Sequence, residues 1–188
     1  MPLDKRVFII CFLICLILAI FGFFIGSMAE IPRALLPEAV RPDVSVLAKL
    51  RVASTFKTIL INNSRVFLMM IVGILTCGLL SVFEVLLIGA MVGFISKLAA
   101  QQGIGLTIVG AALAPHGILE LTSFLLVAAI GIYFAVRIYR SSKGEAISWP
   151  KEARGYFVII AGAYGLLVVA AVLETYLTPL VVSKYVIR

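Results

Sequence analysis

Charged side chains are scarce in this 188-residue sequence: Asp, Glu, Lys and Arg make up 13% of it, whereas hydrophobic residues make up 63%. An ordinary soluble domain has about 25% charged and about 45–50% apolar residues, so the composition excludes that class. The apolar runs also lack the regular alternation of apolar and polar residues that outer-membrane barrel strands show. We therefore predict an all-α, polytopic helical membrane protein.

Familiar catalytic and disulfide patterns are missing too. The sequence contains no Gly-rich phosphate loop, nucleophile motif or dinucleotide fingerprint, which favours a protein that is not an enzyme. Cys11, Cys15 and Cys77 fall in apolar stretches without metal-type pairing, so they predict no disulfide framework. The net charge of +7 comes from Lys and Arg in loops and at span ends, which suits anionic lipid headgroups. The predicted partner is the lipid bilayer, with no nucleic acid.

Apolar runs long enough to cross a hydrocarbon layer of about 30 Å, which takes about 20 residues, divide the chain. We predict one membrane domain over residues 1–188, multi-pass in the plasma membrane. Its predicted spans are 7–29, 59–77, 80–100, 117–139 and 155–183, with an amphipathic interfacial segment at 43–57 and a short re-entrant or interfacial piece at 103–114. The first run is longer than the apolar part of a cleaved signal peptide, about 7–15 residues, so we predict that it is retained.

The number of spans depends on the block from Ile59 to Ala100, which has about twice the length of one span and no polar loop. It is either one very long tilted helix or two helices with a break near Gly78 and Ser81. The distribution of Lys and Arg favours four spans, whereas span length favours five. Five spans would place the amino terminus and the basic loop 137–154 on the same side of the membrane.

Two pairs of glycines have the spacing at which transmembrane helices approach closely. Gly22 and Gly26 lie in the first predicted span, and Gly89 and Gly93 lie in the third. Small residues four positions apart let the backbones of two helices come into contact. These pairs lead us to predict a homo-oligomer or association with other membrane proteins.

Ionisable side chains inside apolar spans are costly and mark candidate functional sites. His116 is the only histidine, and Glu120 lies one helical turn later on the same face. Glu174 lies in the last span, nearly as many residues from the basic loop as Glu120, so in antiparallel helices their heights differ by only ~3 Å. We predict that these three side chains meet. With five spans Glu84 would lie near the opposite end.

The cluster admits several functions. One imidazole and two carboxylates can bind a divalent metal such as zinc with an open position, although the set is one ligand short of a His-Glu-x-x-His helix. They can also relay protons in a carrier, or activate a water in an intramembrane hydrolase. The alternative is a purely structural cluster in which they pair with Asn62, Asn63 and Arg65 to fix helix packing.

Three pieces of the sequence together resemble the stage II sporulation protein M family: Asn62-Asn63, Pro115-His116-Gly117 with Glu120, and Glu174 with Thr178-Pro179. The resemblance implies about five spans and a cytoplasmic amino terminus, which favours five spans here. It also implies a membrane scaffold like the family's namesake, which holds cell-wall hydrolases during engulfment. One departure is Ile88, which stands before Gly89 where the family has Asn.

Our leading interpretation is a membrane scaffold or assembly component, oligomeric, with the His116/Glu120/Glu174 cluster fixing its core. The first alternative is a carrier that uses these residues for a proton or a divalent cation. The second is a metal-dependent intramembrane hydrolase.

Overall fold

The computed structural model describes residues 3–31 and 55–186. They form five α-helices and no strand: α1 Lys5–Met28, α2 Phe56–Leu75, α3 Leu79–Gln101, α4 Leu106–Ser142 and α5 Trp149–Val186. Each is long and apolar enough to cross a membrane. The predicted all-α membrane fold with five spans is confirmed. The predicted interfacial segment 43–57 lies outside the described residues except for its end, where Phe56 begins α2.

A tight turn separates α2 from α3 and excludes the single long helix. Cys77 and Gly78 both adopt left-handed backbone conformations, with φ of 53° and 82°, and the Gly78 N–H bonds back to the Gly73 carbonyl at 2.9 Å. This pattern ends a helix and suits glycine. A Cβ on Gly78 would come within 2.7 Å of the Gly131 backbone in α4. The turn is therefore pressed against α4, and glycine is needed there for both reasons.

The two glycine pairs pack against each other, which corrects their predicted role as the basis of an oligomer. Helices α1 and α3 run parallel, because Ala19 of α1 faces Gly89 and Phe23 faces Gly93. An added Cβ would overlap a backbone carbonyl oxygen of the facing helix at each of Gly22, Gly26, Gly89 and Gly93. The close helix approach is as predicted, but both partners belong to the same chain. The oligomer remains a prediction without this support.

Helix α4 is the centre of the bundle, since it packs against all four other helices. Its middle is fully or almost fully buried, from Phe124 to Ile130 with the exception of Leu126, and again at Tyr133. Ser123 donates a hydrogen bond to the Ala163 carbonyl of α5 at 2.8 Å. The residues that α4 carries toward α5 are thereby held in a fixed register.

Helix α4 begins at Leu106, whereas the sequence predicted a separate piece at 103–114 and a span from Gly117. Pro115 lies inside the helix without ending it. Proline removes one backbone hydrogen bond, and in transmembrane helices neighbouring groups make good that loss. Helix α5 likewise continues through Pro179.

Candidate functional site

The predicted cluster forms between α4 and α5. His116 and Glu120 lie one turn apart on α4, and Glu174 reaches them from α5. One ligand atom from each, a ring nitrogen and two carboxylate oxygens, lie within 4.8 Å of one another. His116 is 8% exposed, and the two glutamates are half-buried. The structure thus brings together the three side chains that the depth argument predicts to meet.

Antiparallel packing explains why these residues oppose one another. His116 and Glu120 are four residues apart in α4, and Glu174 and Thr178 are four residues apart in α5. Because the helices run in opposite directions, His116 faces Thr178 while Glu120 faces Glu174. The His116 Nδ1 atom lies 3.0 Å from the Thr178 Oγ1 atom. Thr178 was part of the resemblance motif, but its contact with the imidazole was not predicted.

A proline stands next to the site in each of the two continuous helices. Pro115 directly precedes His116, and Pro179 directly follows Thr178. Each proline lacks the N–H that would bond the carbonyl four residues earlier. The Thr178 hydroxyl donates to the Leu173 carbonyl at 3.4 Å. The backbone of each helix therefore lacks one hydrogen-bond donor close to the polar cluster.

No basic side chain that the structure describes pairs with either of the two glutamates. Among the described residues, the ion pairs involve only Arg137 and Arg140, which lie toward the other end of α4. The side chains of Glu120 and Glu174 face each other, and His116 is the one ionisable base that groups with them among the described side chains. Uncompensated carboxylates inside a membrane are costly, so a proton or a cation is the natural third component.

The other predicted polar residues do not join the cluster. Asn62 and Arg65 are exposed and Asn63 is half-buried on α2, and within residues 3–31 and 55–186 no hydrogen bond joins any of them to the three ligands. The polar contact of α2 with α5 is instead made by Ser64, whose hydroxyl lies 3.2 Å from that of Tyr164, and the Phe67 ring packs edge-on against the same tyrosine. Glu84 is buried on α3, with 8% of its surface exposed, and it does not belong to the cluster of His116, Glu120 and Glu174.

A second polar assembly at the other end of α4 and α5 escaped the sequence analysis. We call it the base network, and it comprises Asp4, Tyr133, Arg137, Arg140, Glu145 and Glu152. Arg137 bonds Glu145 at 2.7 Å and Glu152 at 3.0 Å, and the Arg137 and Glu152 side chains are only 10% and 4% exposed. The sequence had placed Arg137 among the loop charges, because nothing local shows that Glu152 folds back onto it.

The base network also holds the amino terminus. The Asp4 backbone N–H donates to the Tyr133 hydroxyl at 3.0 Å, and Arg140 pairs with the Asp4 carboxylate at 3.5 Å. Asp4 caps α1 by accepting from the Val7 and Arg6 N–H groups; the Val7 bond, the Arg6 bond and Arg140 hold the pKa of Asp4 below its ordinary value. The amino terminus and the α4–α5 loop therefore share one side, as five spans predict.

Comparison with known proteins identifies a family and assigns no chemistry. The family model described as Stage II sporulation protein M matches residues 8–179. An uncharacterized protein of Methanocaldococcus jannaschii is 29% identical over 126 residues, which cover 66% of this chain and 71% of that protein. No solved structure matches the chain.

Proposed function

The chain belongs to the Stage II sporulation protein M family of membrane proteins, and from its site we propose an ion-handling function within that family. The protein acts as a carrier that takes up a cation, either a proton or a metal ion, at His116, Glu120 and Glu174. The observation that carries this proposal is the approach of two carboxylates and one imidazole to within 4.8 Å between two transmembrane helices.

Charge supports the proposal. Two ionised carboxylates a few ångströms apart repel strongly where the dielectric constant is low. Both carboxylates are half-buried between transmembrane helices, and no Lys or Arg side chain that the structure describes pairs with either of them. A bound cation or a shared proton removes the repulsion, and its release restores it. A site of this kind favours reversible loading.

A cluster that serves only to fix helix packing would satisfy its own polar groups. Here the interhelical hydrogen bond joins His116 to Thr178, while Asn62 and Arg65, the residues expected to complete a structural lock, are exposed on α2. Helix register is instead supported elsewhere, by the glycine contacts of α1 with α3 and by Ser123. The bundle thus has other means of fixing its packing.

Transport into proteoliposomes tests the proposal. Vesicles with the purified protein and a pH-sensitive or metal-sensitive dye should take up protons or Zn²⁺ above the rate of empty vesicles. Glu120→Gln and Glu174→Gln should each reduce uptake to that of empty vesicles, because each removes one negative charge from the site. Glu84→Gln is the matched control, a buried carboxylate outside the cluster, and should leave uptake intact. Equal uptake by wild type and Glu120→Gln, or wild-type uptake no faster than in empty vesicles, would contradict a carrier.

A scaffold or assembly role is the second candidate. It is favoured by one continuous apolar face of α1 that no other described helix covers, including Ile17 at 64% and Phe21 at 58% exposure. This face can pack against lipid or against another membrane protein. Cross-linking from Ile17→Cys in native membranes should capture a defined partner or a second copy if the scaffold role is right, whereas Phe157→Cys on α5 serves as a control. Identical patterns from both positions would argue against it.

A further inference from the structure

We infer that the ion held between α4 and α5 is a divalent first-row transition metal of the zinc class, and that Thr178 positions His116 to bind it. The inference rests on the proposed cation site and specifies its ligand. Its ligands are the His116 Nε2 atom and one carboxylate oxygen each from Glu120 and Glu174, with a remaining position open.

The contacts of Thr178 favour one imidazole nitrogen of His116 as the free one. The Thr178 hydroxyl donates its proton to the Leu173 carbonyl oxygen at 3.4 Å, and a carbonyl can only accept. The same hydroxyl oxygen lies 3.0 Å from the His116 Nδ1 atom, and while its proton is directed at Leu173 it can accept the proton of an Nδ1–H group. A neutral imidazole with its proton on Nδ1 has its lone pair on Nε2. In this arrangement, which we assign to the metal-bound state, His116 coordinates the ion through Nε2.

The ligand types select among cations. Ca²⁺ takes about six to eight oxygen ligands, and Mg²⁺ prefers an octahedron of oxygens that retains several waters. An imidazole nitrogen is instead a preferred ligand of zinc and of the neighbouring first-row metals. Three protein ligands with one open position are the usual arrangement of a zinc site that exchanges a ligand.

Charge balance agrees with a divalent ion. The two carboxylates of Glu120 and Glu174 together carry the charge that one divalent cation neutralises, and neutral His116 adds none. The loaded site is then uncharged overall, which lowers the cost of placing it inside a membrane. A monovalent ion would leave one carboxylate uncompensated.

The contact from Thr178 to His116 corresponds to the outer hydrogen bond that metal-bound imidazoles commonly make. Such a partner fixes ring orientation and tautomer, and its loss typically weakens metal binding about 10–100-fold. Thr178 is therefore a positioning residue. Thr175 provides a matched comparison, because its hydroxyl donates at 2.8 Å to the Ala171 carbonyl of its own helix and not to the imidazole, whose partner is Thr178.

Titration of the purified full-length protein in nanodiscs with Co²⁺, followed by its visible absorption, tests the inference. We expect one Co²⁺ per chain, displaced by Zn²⁺ and resistant to excess Ca²⁺ or Mg²⁺. Thr178→Val should weaken binding about 10–100-fold, whereas Thr178→Ser and Thr175→Val should bind like the wild type. Glu120→Gln and Glu174→Gln should lose the stoichiometric site, while Glu84→Gln should retain it. Circular dichroism and size-exclusion chromatography confirm that each variant is folded.

Three results would overturn the inference. The first is that the wild type binds Co²⁺ and Zn²⁺ no more strongly than folded Glu120→Gln does. The second is that Ca²⁺ or Mg²⁺ displaces Co²⁺ as readily as Zn²⁺ does. The third is that Thr178→Val and Thr175→Val weaken Co²⁺ binding equally. Failure here is distinct from failure of the carrier. Proton uptake that needs Glu120, without metal binding, would refute the metal and leave the carrier. Stoichiometric metal binding without any uptake would refute the carrier and leave the metal site.

Discussion

Replacing Gly26 by Ala should separate α1 from α3 and destabilise the bundle. The added Cβ would overlap the Ala90 carbonyl oxygen and come within 2.6 Å of its carbon and 2.8 Å of the Ala90 Cα. These are backbone atoms, so no side-chain rotation relieves the overlap and the helices must move apart. Overpacking of this kind costs about 1–3 kcal/mol.

Gly162 of α5 is the matched control, because an added Cβ there meets nothing within 4 Å. Alanine is favoured over glycine in a helix by up to about 1 kcal/mol, so Gly162→Ala should be neutral or slightly stabilising. Unfolding of both variants by SDS titration from mixed micelles measures the difference in the free energy of unfolding. If Gly26→Ala unfolds at the same SDS fraction as Gly162→Ala, or changes only an oligomer while the monomer keeps its stability, the packing of α1 on α3 within one chain is refuted.

Three further predictions concern the base network and the α2–α3 turn. Arg137→Leu should lower the free energy of unfolding by about 3–5 kcal/mol, because it leaves the buried Glu152 carboxylate without its partner. Adding Glu152→Leu should recover most of that loss in the same SDS titration. A double variant that is no more stable than Arg137→Leu would contradict the pairing. The depressed pKa of Asp4 means that its contribution to stability is present above its ordinary pKa and is lost as the pH falls through the lowered value. The protection factors of the amides in the first turn of α1, which are exchange rates corrected for the intrinsic effect of pH, should therefore fall in acid. Asp4→Asn, which keeps a cap, should remove that pH dependence, and protection factors that stay constant in the wild type would contradict the capping role. Gly78→Ala should destabilise more than Gly144→Ala, since both positions have positive φ but only Gly78 also meets backbone within 2.7 Å; equal thermal stability of the two variants would argue against the close contact with α4.

The sequence was sufficient for the architecture because the signals involved are local. Apolar length favoured five crossings, the distribution of Lys and Arg favoured four, and the family resemblance decided for five. The turn at Gly78 could be placed because small residues interrupt an otherwise doubled span. The meeting of Glu120 with Glu174 was also predictable, since antiparallel helices that share a short loop equalise depth at equal distances from that loop.

Features that depend on which helices become neighbours were not predictable in this way. A Gly-x-x-x-Gly pair has the same sequence whether its partner is another chain or another helix of its own, so Gly22 and Gly26 gave no hint of Gly89. In the sequence Arg137 resembles any other loop charge, because its pairing with Glu152 appears only in the folded chain. The contact of Thr178 with His116 depends on the side-chain positions around Pro115 and Pro179, which periodicity does not describe.

X-ray absorption at the metal edge of the Co²⁺-loaded protein in nanodiscs tests the site between α4 and α5 most directly. We expect a first shell of nitrogen and oxygen with the outer scattering pattern of one imidazole, and loss of that imidazole pattern in His116→Gln. A spectrum of hydrated Co²⁺, unchanged between the wild type and His116→Gln, would show that His116, Glu120 and Glu174 do not hold the ion.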